Sequence, residues 1–574
     1  VATLAPAYLP RRPTETVLYG LVREHLASFL AFTREHYEGG LPGYVERELR
    51  AYLKCGVFAE GFTRVHCDTC GHDLLVAFSC HGRSVCPSCC GRRMANTAAH
   101  LVDRVLPDVP VRQYVLSLPY ELRQLAAFKA DVLTAVARIF VEAVFAVYRQ
   151  RAKRAGLEDA QCGAVTFVQR FGSLNLNVHF HVMVLDGVFV RDPSGRGRPV
   201  FHASGPPTPA DLQAVVLGTQ RRCAAWLRRR GHLDSRPAEE RSNEPPAQTA
   251  IEGCAAIAMG RGQVATLARR DGDAGDRDDE EQAPLGKPMA AVEHDGFNLH
   301  AGVRVEAGDD LARERLMRYG GRPPLSIERL RRLPDGRVAY RLKYVGRGRG
   351  KHRVMTPMEF MARLAAIICP PRYPLVRYSG VLGPRSSWRR EIVPKPRPTS
   401  QTCEGQAAGE PAKDSPPRAG TSTPEQRPRP PGPSLSLVAP PAARPANPGA
   451  MAPATPGPLP LPILPSGSVA LLAPNILSVP HWDRLLGGLL YAATPRVDWA
   501  TLLRRSFAVD VLECPRCHGR LRVLAVITER EPIERILTHL SLPAAAPPLA
   551  RARAPTGPDV DDDLGAELLA LDLA

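Results

Sequence analysis

Two histidines stand two residues apart in the segment LNLNVHFHVMV, residues 174–184. Leu174, Leu176, Val178, Phe180 and Val182 alternate there with Asn175, Asn177, His179, His181 and Met183. Successive side chains of a strand point to opposite faces. The alternation therefore predicts one apolar face and one face carrying the asparagines and histidines. At roughly 3.3 Å rise per residue, the two imidazoles lie about 7 Å apart along the strand and can converge on one divalent ion. The plainer alternative is an exposed sheet face that happens to hold two histidines. A two-histidine site needs a further protein ligand and open positions for substrate oxygens. Gln169, on the preceding strand AVTFVQRF, is the candidate. Asn175 and Asn177 orient the histidines, touch the substrate, or are ordinary strand residues.

A nucleophile is readable further on. The helix DDLARERLMRY opens on Asp309 and Asp310, favourable at a positive helix N-terminus. It stops at Gly320 and Gly321, with Pro323 and Pro324 beyond. Tyr319 thus falls in the last turn, between Arg318 and Arg322, cations that can bind phosphate and lower a phenol's pKa. A tyrosine packed against the sheet is the competing reading on spacing alone. Tyr340 and Tyr344, four apart in the alternating stretch VAYRLKYV, read as structural.

The cysteines carry a metal signal. Cys67-x2-Cys70 and Cys86-x2-Cys89 are separated by fifteen residues, a spacing that predicts one tetrahedral zinc site. Cys55 and Cys80 are candidates for a second site. Cys514-x2-Cys517 is half a site, to be completed by His518 or a dimer mate, unless it is a remnant. Arg83, Arg92 and Arg93 surround the first knuckles and can present charge to DNA phosphates.

The elements that must position these residues set the domain plan. Residues 1–105 form a helical, cysteine-dense module. Residues 106–393 read as the main α+β body: a strand at VRQYVLSLP, a long helix from about Glu121 to Ala155, the two strands above, and alternating elements beyond. Within it, residues 233–290 read as a charged, irregular insertion. Residues 394–475 are a Pro/Ala-rich linker. Residues 476–574 form a small C-terminal module: two short helices, a hairpin around Cys514, the helix EPIERILTHL and an acidic tail.

The chain has 574 residues, 44% of them hydrophobic, and a net charge of +17, which favours a polyanionic partner without separating DNA from RNA. Arginine spread over solvated faces gives the same number. No apolar run spans a bilayer, and VATLAPAYLPRR lacks a secretory pattern, so no membrane partner and a cytoplasmic location are expected.

His-hydrophobe-His on a strand, followed by a helical tyrosine, resembles the HUH endonuclease superfamily. The phrases VQRFGSLNLNVHFHVMVLDGVF, GFNLHAGVRV, RYGGRPPL and RYSGVLGPRSSWR are similar to rolling-circle transposases of insertion sequences. AFSCHGRSVCPSCCGRRM resembles the zinc-binding segment that precedes their catalytic domain. The resemblance implies an HUH-like central antiparallel sheet flanked by helices, with His179 and His181 as ligands of Mg or Mn and Tyr319 as nucleophile. It implies structural zinc and a bacterial, DNA-associated protein that acts on single-stranded DNA at element termini. Many members carry two tyrosines four residues apart; here Arg315 stands one turn before Tyr319, so the chain resembles a single-tyrosine branch. One tyrosine acting twice, or a homodimer supplying one each, both remain open. A replication initiator or relaxase with the same chemistry, and a non-catalytic zinc-dependent DNA-binding protein, are the alternatives.

Overall fold

The computed structural model describes residues 12–191, 197–232, 249–260, 291–342, 351–394, 471–472 and 511–553. All of them belong to one compact unit, residues 1–396 together with 469–574. Apart from Pro394 and residues 471–472, the expected linker lies outside the described residues, as do the two short helices after it, the acidic tail and Tyr344.

The N-terminal module holds helices α1 (Val17–His36) and α2 (Gly43–Lys54), strands β1 (Phe62–Cys67) and β2 (Asp73–Ala77), and helix α3 (Pro87–Arg104). The body follows with β3 (Val111–Ser117), α4 (Tyr120–Phe128), α5 (Ala130–Arg154), β4 (Gly163–Gly172) and β5 (Asn175–Leu185). Next come β6 (Gly187–Val190), β7 (Val200–Ala203), α6 (Pro209–Arg229), α7 (Ala250–Ala258), β8 (Ala291–His294), β9 (Phe297–Val305) and α8 (Asp310–Gly320). Strands β10 (Leu330–Arg332), β11 (Val338–Arg341) and β12 (His352–Met355) make a small separate sheet, followed by α9 (Pro357–Ile367), β13 (Val376–Gly380) and α10 (Arg389–Ile392). The pair β14 (Leu471–Leu472), then β15 (Leu521–Ile527) and α11 (Arg530–His539), complete the described chain.

The body is α+β. Its central sheet has six strands in the order β13-β4-β5-β3-β9-β8, every neighbouring pair antiparallel. Strand β5 lies in the middle and is buried along its whole length. Leu176, Val178, Phe180, Val182 and Val184 join the larger core with Phe140, Val144, Phe360 and Leu364 of α5 and α9. The opposite face carries Met183 and Leu185 into a second core with Leu101 and Val102 of α3 and Leu316 and Met317 of α8. The histidine face is therefore not a solvated surface. Helices cover both faces.

The β4–β5 hairpin fixes the register of the site. Gly172 pairs with Asn175, so the turn residues are Ser173 and Leu174, with φ of 36° and 66°. Two positive φ values suit a two-residue hairpin that follows strand twist. Leu174 adopts this conformation with its side chain fully buried. A register shift between Gln169 and Phe171 then brings Gln169 opposite His179, a bulge beside the functional residues.

Several expectations need correction. The long helix breaks at Lys129 into α4 and α5. The region 233–290 is not wholly irregular: the apolar stretch at Ala250–Ala258 is a helix, opened by a Thr249–Glu252 capping box and packed into the main core through Cys254, Ile257 and Ala258. Its neighbours' charge hid its apolar character. The C-terminal segment does not stand apart: β15 pairs with β1. Tyr340 is buried on β11, as a structural residue would be.

A buried charge cluster anchors the rear of β5. Asp186 accepts from Arg112 Nε at 3.0 Å and Nη2 at 2.9 Å, from the Tyr148 hydroxyl at 2.7 Å and from Arg304 Nε at 2.6 Å. Removing this acceptor strands the buried Arg112 cation. Asp186→Ala is expected to lower unfolding free energy by about 3–5 kcal/mol, measured by urea denaturation. A loss under about 1 kcal/mol, the range of an exposed ion pair, would contradict that reading.

Candidate active site and cysteine clusters

His179 and His181 project from one face of β5, with ring centroids 5.0 Å apart. The Tyr319 ring meets His181 edge-on at 5.3 Å. The fold thus brings together three residues expected to act in concert. His179 Nδ1 lies 3.0 Å from the Asn177 carbonyl, which can only accept, so Nδ1 carries the proton and Nε2 keeps a lone pair. His181 Nδ1 lies 2.6 Å from the Gln113 side-chain amide, whose nitrogen and oxygen can exchange places. With the Gln113 oxygen turned to accept, His181 Nε2 likewise keeps its lone pair. That Nε2 is buried and has no hydrogen-bond partner among the described residues. Burial holds both imidazoles neutral: it pushes His179 down to about 4 and His181 well below its ordinary value, with nearby Arg322 and His179 adding to the effect on His181. Neutral imidazoles with bare Nε2 atoms are the form that binds a divalent ion.

Gln169, the expected third ligand, is hydrogen-bonded through both ends of its amide. Its amide nitrogen donates to the carbonyls of Tyr319 at 3.1 Å and Gly320 at 2.9 Å, and its oxygen accepts from Arg322 Nε at 3.2 Å. It fastens the end of α8 beside His179. Gly320 permits this approach, because a Cβ there would lie 2.7 Å from the Phe167 ring. Asn175 is buried and accepts from Arg353 and Arg363, so it braces the sheet. Asn177 Oδ1 is buried without a partner. Two strands away, Asn298 and His300 lie on the histidine face, opposite Ser117 and Val115 of β3, and each has a buried unpaired polar atom.

The arginines divide. Arg322 stacks over the Tyr319 ring at 5.1 Å and over Phe171 at 5.6 Å. Arg318 is held by Glu314, at 2.6 Å and 3.1 Å. Arg83 donates to the carbonyls of Pro370 and Tyr373, bracing the cysteine module against the body. Arg93 is exposed and donates to the His81 carbonyl, and Arg92 is half-buried. A cleft with about 650 Å³ of open space runs beside the end of α8, lined by Arg83, Arg93, Phe167, Gln169, Phe171 and Arg322 among others. Arg315, one turn before Tyr319, is exposed on α8.

The cysteines group differently from their spacing. Cys55, Cys80, Cys86 and Cys89 converge in one cluster, with Sγ separations of 3.5 Å for Cys55–Cys86, 3.8 Å for Cys55–Cys89 and 3.6 Å for Cys80–Cys89. Four thiolates 2.3 Å from a tetrahedral zinc lie about 3.8 Å apart, so this set fits the ion. Glu48 of α2 holds the intervening loop by accepting three backbone amides, from Arg83, Ser84 and Val85. Cys67 and Cys70 do not join Cys86 and Cys89; they meet Cys514 and Cys517 instead. His518 points away, bonded to Glu513. Neither His518 nor a dimer mate is needed to complete the C-terminal pair.

Residues 163–390 match the family model described as "Putative transposase", and residues 21–118 match the one described as "Transposase zinc-binding domain". By these two matches the chain is similar to insertion-sequence transposases over its N-terminal module and its body. Both histidines, Gln169 and Tyr319 fall inside the first match, and Cys55 to Cys89 inside the second. Over 187 residues the chain is 29% identical to the transposase for insertion sequence element IS801 of Pseudomonas savastanoi pv. phaseolicola. That alignment covers 32% of this chain and 41% of the relative, so it spans under half of the relative's length. No solved structure matches. No helix among the described residues is long and apolar enough to cross a membrane.

Gln113 was missed in the sequence. The signal was there: it occupies the alternating strand VRQYVLS, but only sheet order puts it next to His181. Gln113→Ala removes the group that sets the His181 tautomer. It is expected to weaken Mn binding by about 10–100-fold, as loss of an outer partner of a metal-binding histidine does, measured by titration calorimetry. Unchanged affinity would mean that Gln113 does not orient His181.

Proposed function

We propose that this protein is a transposase that cuts and rejoins single-stranded DNA through a covalent bond to Tyr319. The observation that carries the reading is the Tyr319 ring set edge-on 5.3 Å from His181, above a buried pair of neutral histidines. A divalent ion bound by His179 and His181, Mg or Mn, would polarise a non-bridging oxygen of the scissile phosphate. The chain's own residues do the rest. The Tyr319 oxygen attacks phosphorus in line, the phenolic proton is released, and a 5′-phosphotyrosine bond forms as the bond to the 3′-oxygen breaks. The departing oxygen takes up a proton to become a 3′-hydroxyl. The phosphodiester energy stays in the new bond, so a second 3′-hydroxyl reverses the step and joins strands. Arg322, over the Tyr319 ring, is suited to holding the phosphate. The arginine-lined cleft at the end of α8 offers the strand a path beside the half-buried ring of Phe171.

Arg315 in place of a second tyrosine means that each chain brings one nucleophile on α8. The substrate is single-stranded DNA at the termini of the element, and the protein works as a DNA-associated enzyme of the bacterial cytoplasm. Tyr319→Phe keeps the ring and the backbone carbonyl that Gln169 holds. It is expected to abolish the covalent DNA adduct on a denaturing gel while retaining DNA binding. An adduct formed equally by the variant would overturn the assignment.

A further inference from the structure

We propose that Cys67, Cys70, Cys514 and Cys517 hold a second zinc ion, and that this ion clips the C-terminal segment 511–553 onto the N-terminal module. The zinc-binding family match ends at residue 118 and leaves Cys514 and Cys517 unassigned.

The two halves of the site are built alike. In the first, the Cys67 amide donates to the His72 carbonyl at 2.9 Å, and the Gly71 amide returns to the Cys67 carbonyl at 2.9 Å. In the second, the Cys514 amide donates to the Gly519 carbonyl at 2.7 Å, and the His518 amide returns to the Cys514 carbonyl at 2.9 Å. The residue after each second cysteine is left-handed: Gly71 has φ of 71° and His518 of 60°. Each half is thus a matching tight knuckle. Backbone amides of Thr69 and Cys70 also point at the Cys67 sulfur, as they would to a thiolate.

The sulfurs face each other across the pair. Cys67 Sγ lies 3.5 Å from Cys517 Sγ, and Cys70 Sγ lies 3.6 Å from Cys514 Sγ. These distances are far beyond a disulfide bond of about 2.05 Å and close to the edge of a zinc–thiolate tetrahedron, about 3.8 Å. All four ligand atoms lie within 4.8 Å of one another. Four thiols release their protons on binding the ion.

Among the described residues, the segment's other polar anchors are the Arg522–Asp68 ion pair and the amides of Ala550 and Arg553, which donate to the Arg23 carbonyl and the Ser28 hydroxyl. Strand β15 pairs with β1, with one register shift between Arg64 and Val65, as far as Cys67 opposite Leu521, which brings the knuckles together. Yet Val523, Leu524 and Val526 of β15 are exposed at 43%, 40% and 55%. The apolar patch beneath is small, with Phe62, Leu75, Ile533 and Leu537 as its buried members. So little buried surface holds a short segment weakly, and metal binding supplies what the core does not. The clip is also the more accessible of the two cysteine clusters, since Cys70 is exposed and Cys517 half-buried, whereas Cys55, Cys86 and Cys89 are buried.

The test is metal content of the full chain by plasma mass spectrometry, with hydrogen exchange at Leu521–Ile527 as the second readout. Wild type should carry two zinc ions, one per cluster. The double variant Cys514→Ser/Cys517→Ser should carry one, with β15 amides exchanging rapidly and α3 amides as protected as in wild type. Wild type with one zinc, or the variant with two, would overturn the site. Loss of one zinc with β15 protection unchanged would overturn the clip.

Discussion

The position of Tyr319 depends on one side-chain amide. A helix leaves its last carbonyls without intrahelical partners, and α8 ends with those of Tyr319 and Gly320 directed at Gln169 on β4. Each such bond contributes only about 0.5–1.5 kcal/mol, but their geometry is decisive. Gln169 sits opposite His179 in the sheet register. The residue that fastens the tyrosine helix is therefore fixed beside one of the two histidines. Gly320 lets the helix approach the Phe167 ring closely enough for the amide to reach. Arg322 completes the joint by donating to the Gln169 oxygen while lying over the tyrosine ring.

A second constraint comes from burying β5 on both faces. An unpaired polar atom in such a place costs about 1–3 kcal/mol, so the strand's polar side needs partners throughout. Asn175 finds Arg353 and Arg363, His179 finds the Asn177 carbonyl, and His181 finds Gln113. What is left over is His181 Nε2, with Asn177 Oδ1 and, two strands away, His300 Nε2. These three atoms share the sheet face that meets Tyr319. That is where a bound ion and substrate would recover the cost of burial.

Much of this was legible in the sequence because it is local. The alternation around His179 and His181 predicts their shared face, and Asp309 with Gly320 and Gly321 marks the two ends of α8. What depends on distant pairing was not legible. Chain spacing put Cys67 and Cys70 with Cys86 and Cys89, but insertion of β15 beside β1 delivers Cys514 and Cys517 from some 440 positions away. The roles of Gln169 and Arg83 likewise turn on carbonyls contributed by remote segments. The helix Ala250–Ala258 was lost in the charge of its neighbours, although its capping box and apolar run were visible.

The central claim is that the Nε2 atoms of His179 and His181 share one divalent ion beneath Tyr319. Anomalous diffraction from crystals soaked in Mn tests it most directly. The account predicts a single strong peak on the histidine face, about 2.0–2.3 Å from both Nε2 atoms and next to the Tyr319 ring. A peak elsewhere, or both Nε2 atoms bonded to protein groups with no ion between them, would contradict it.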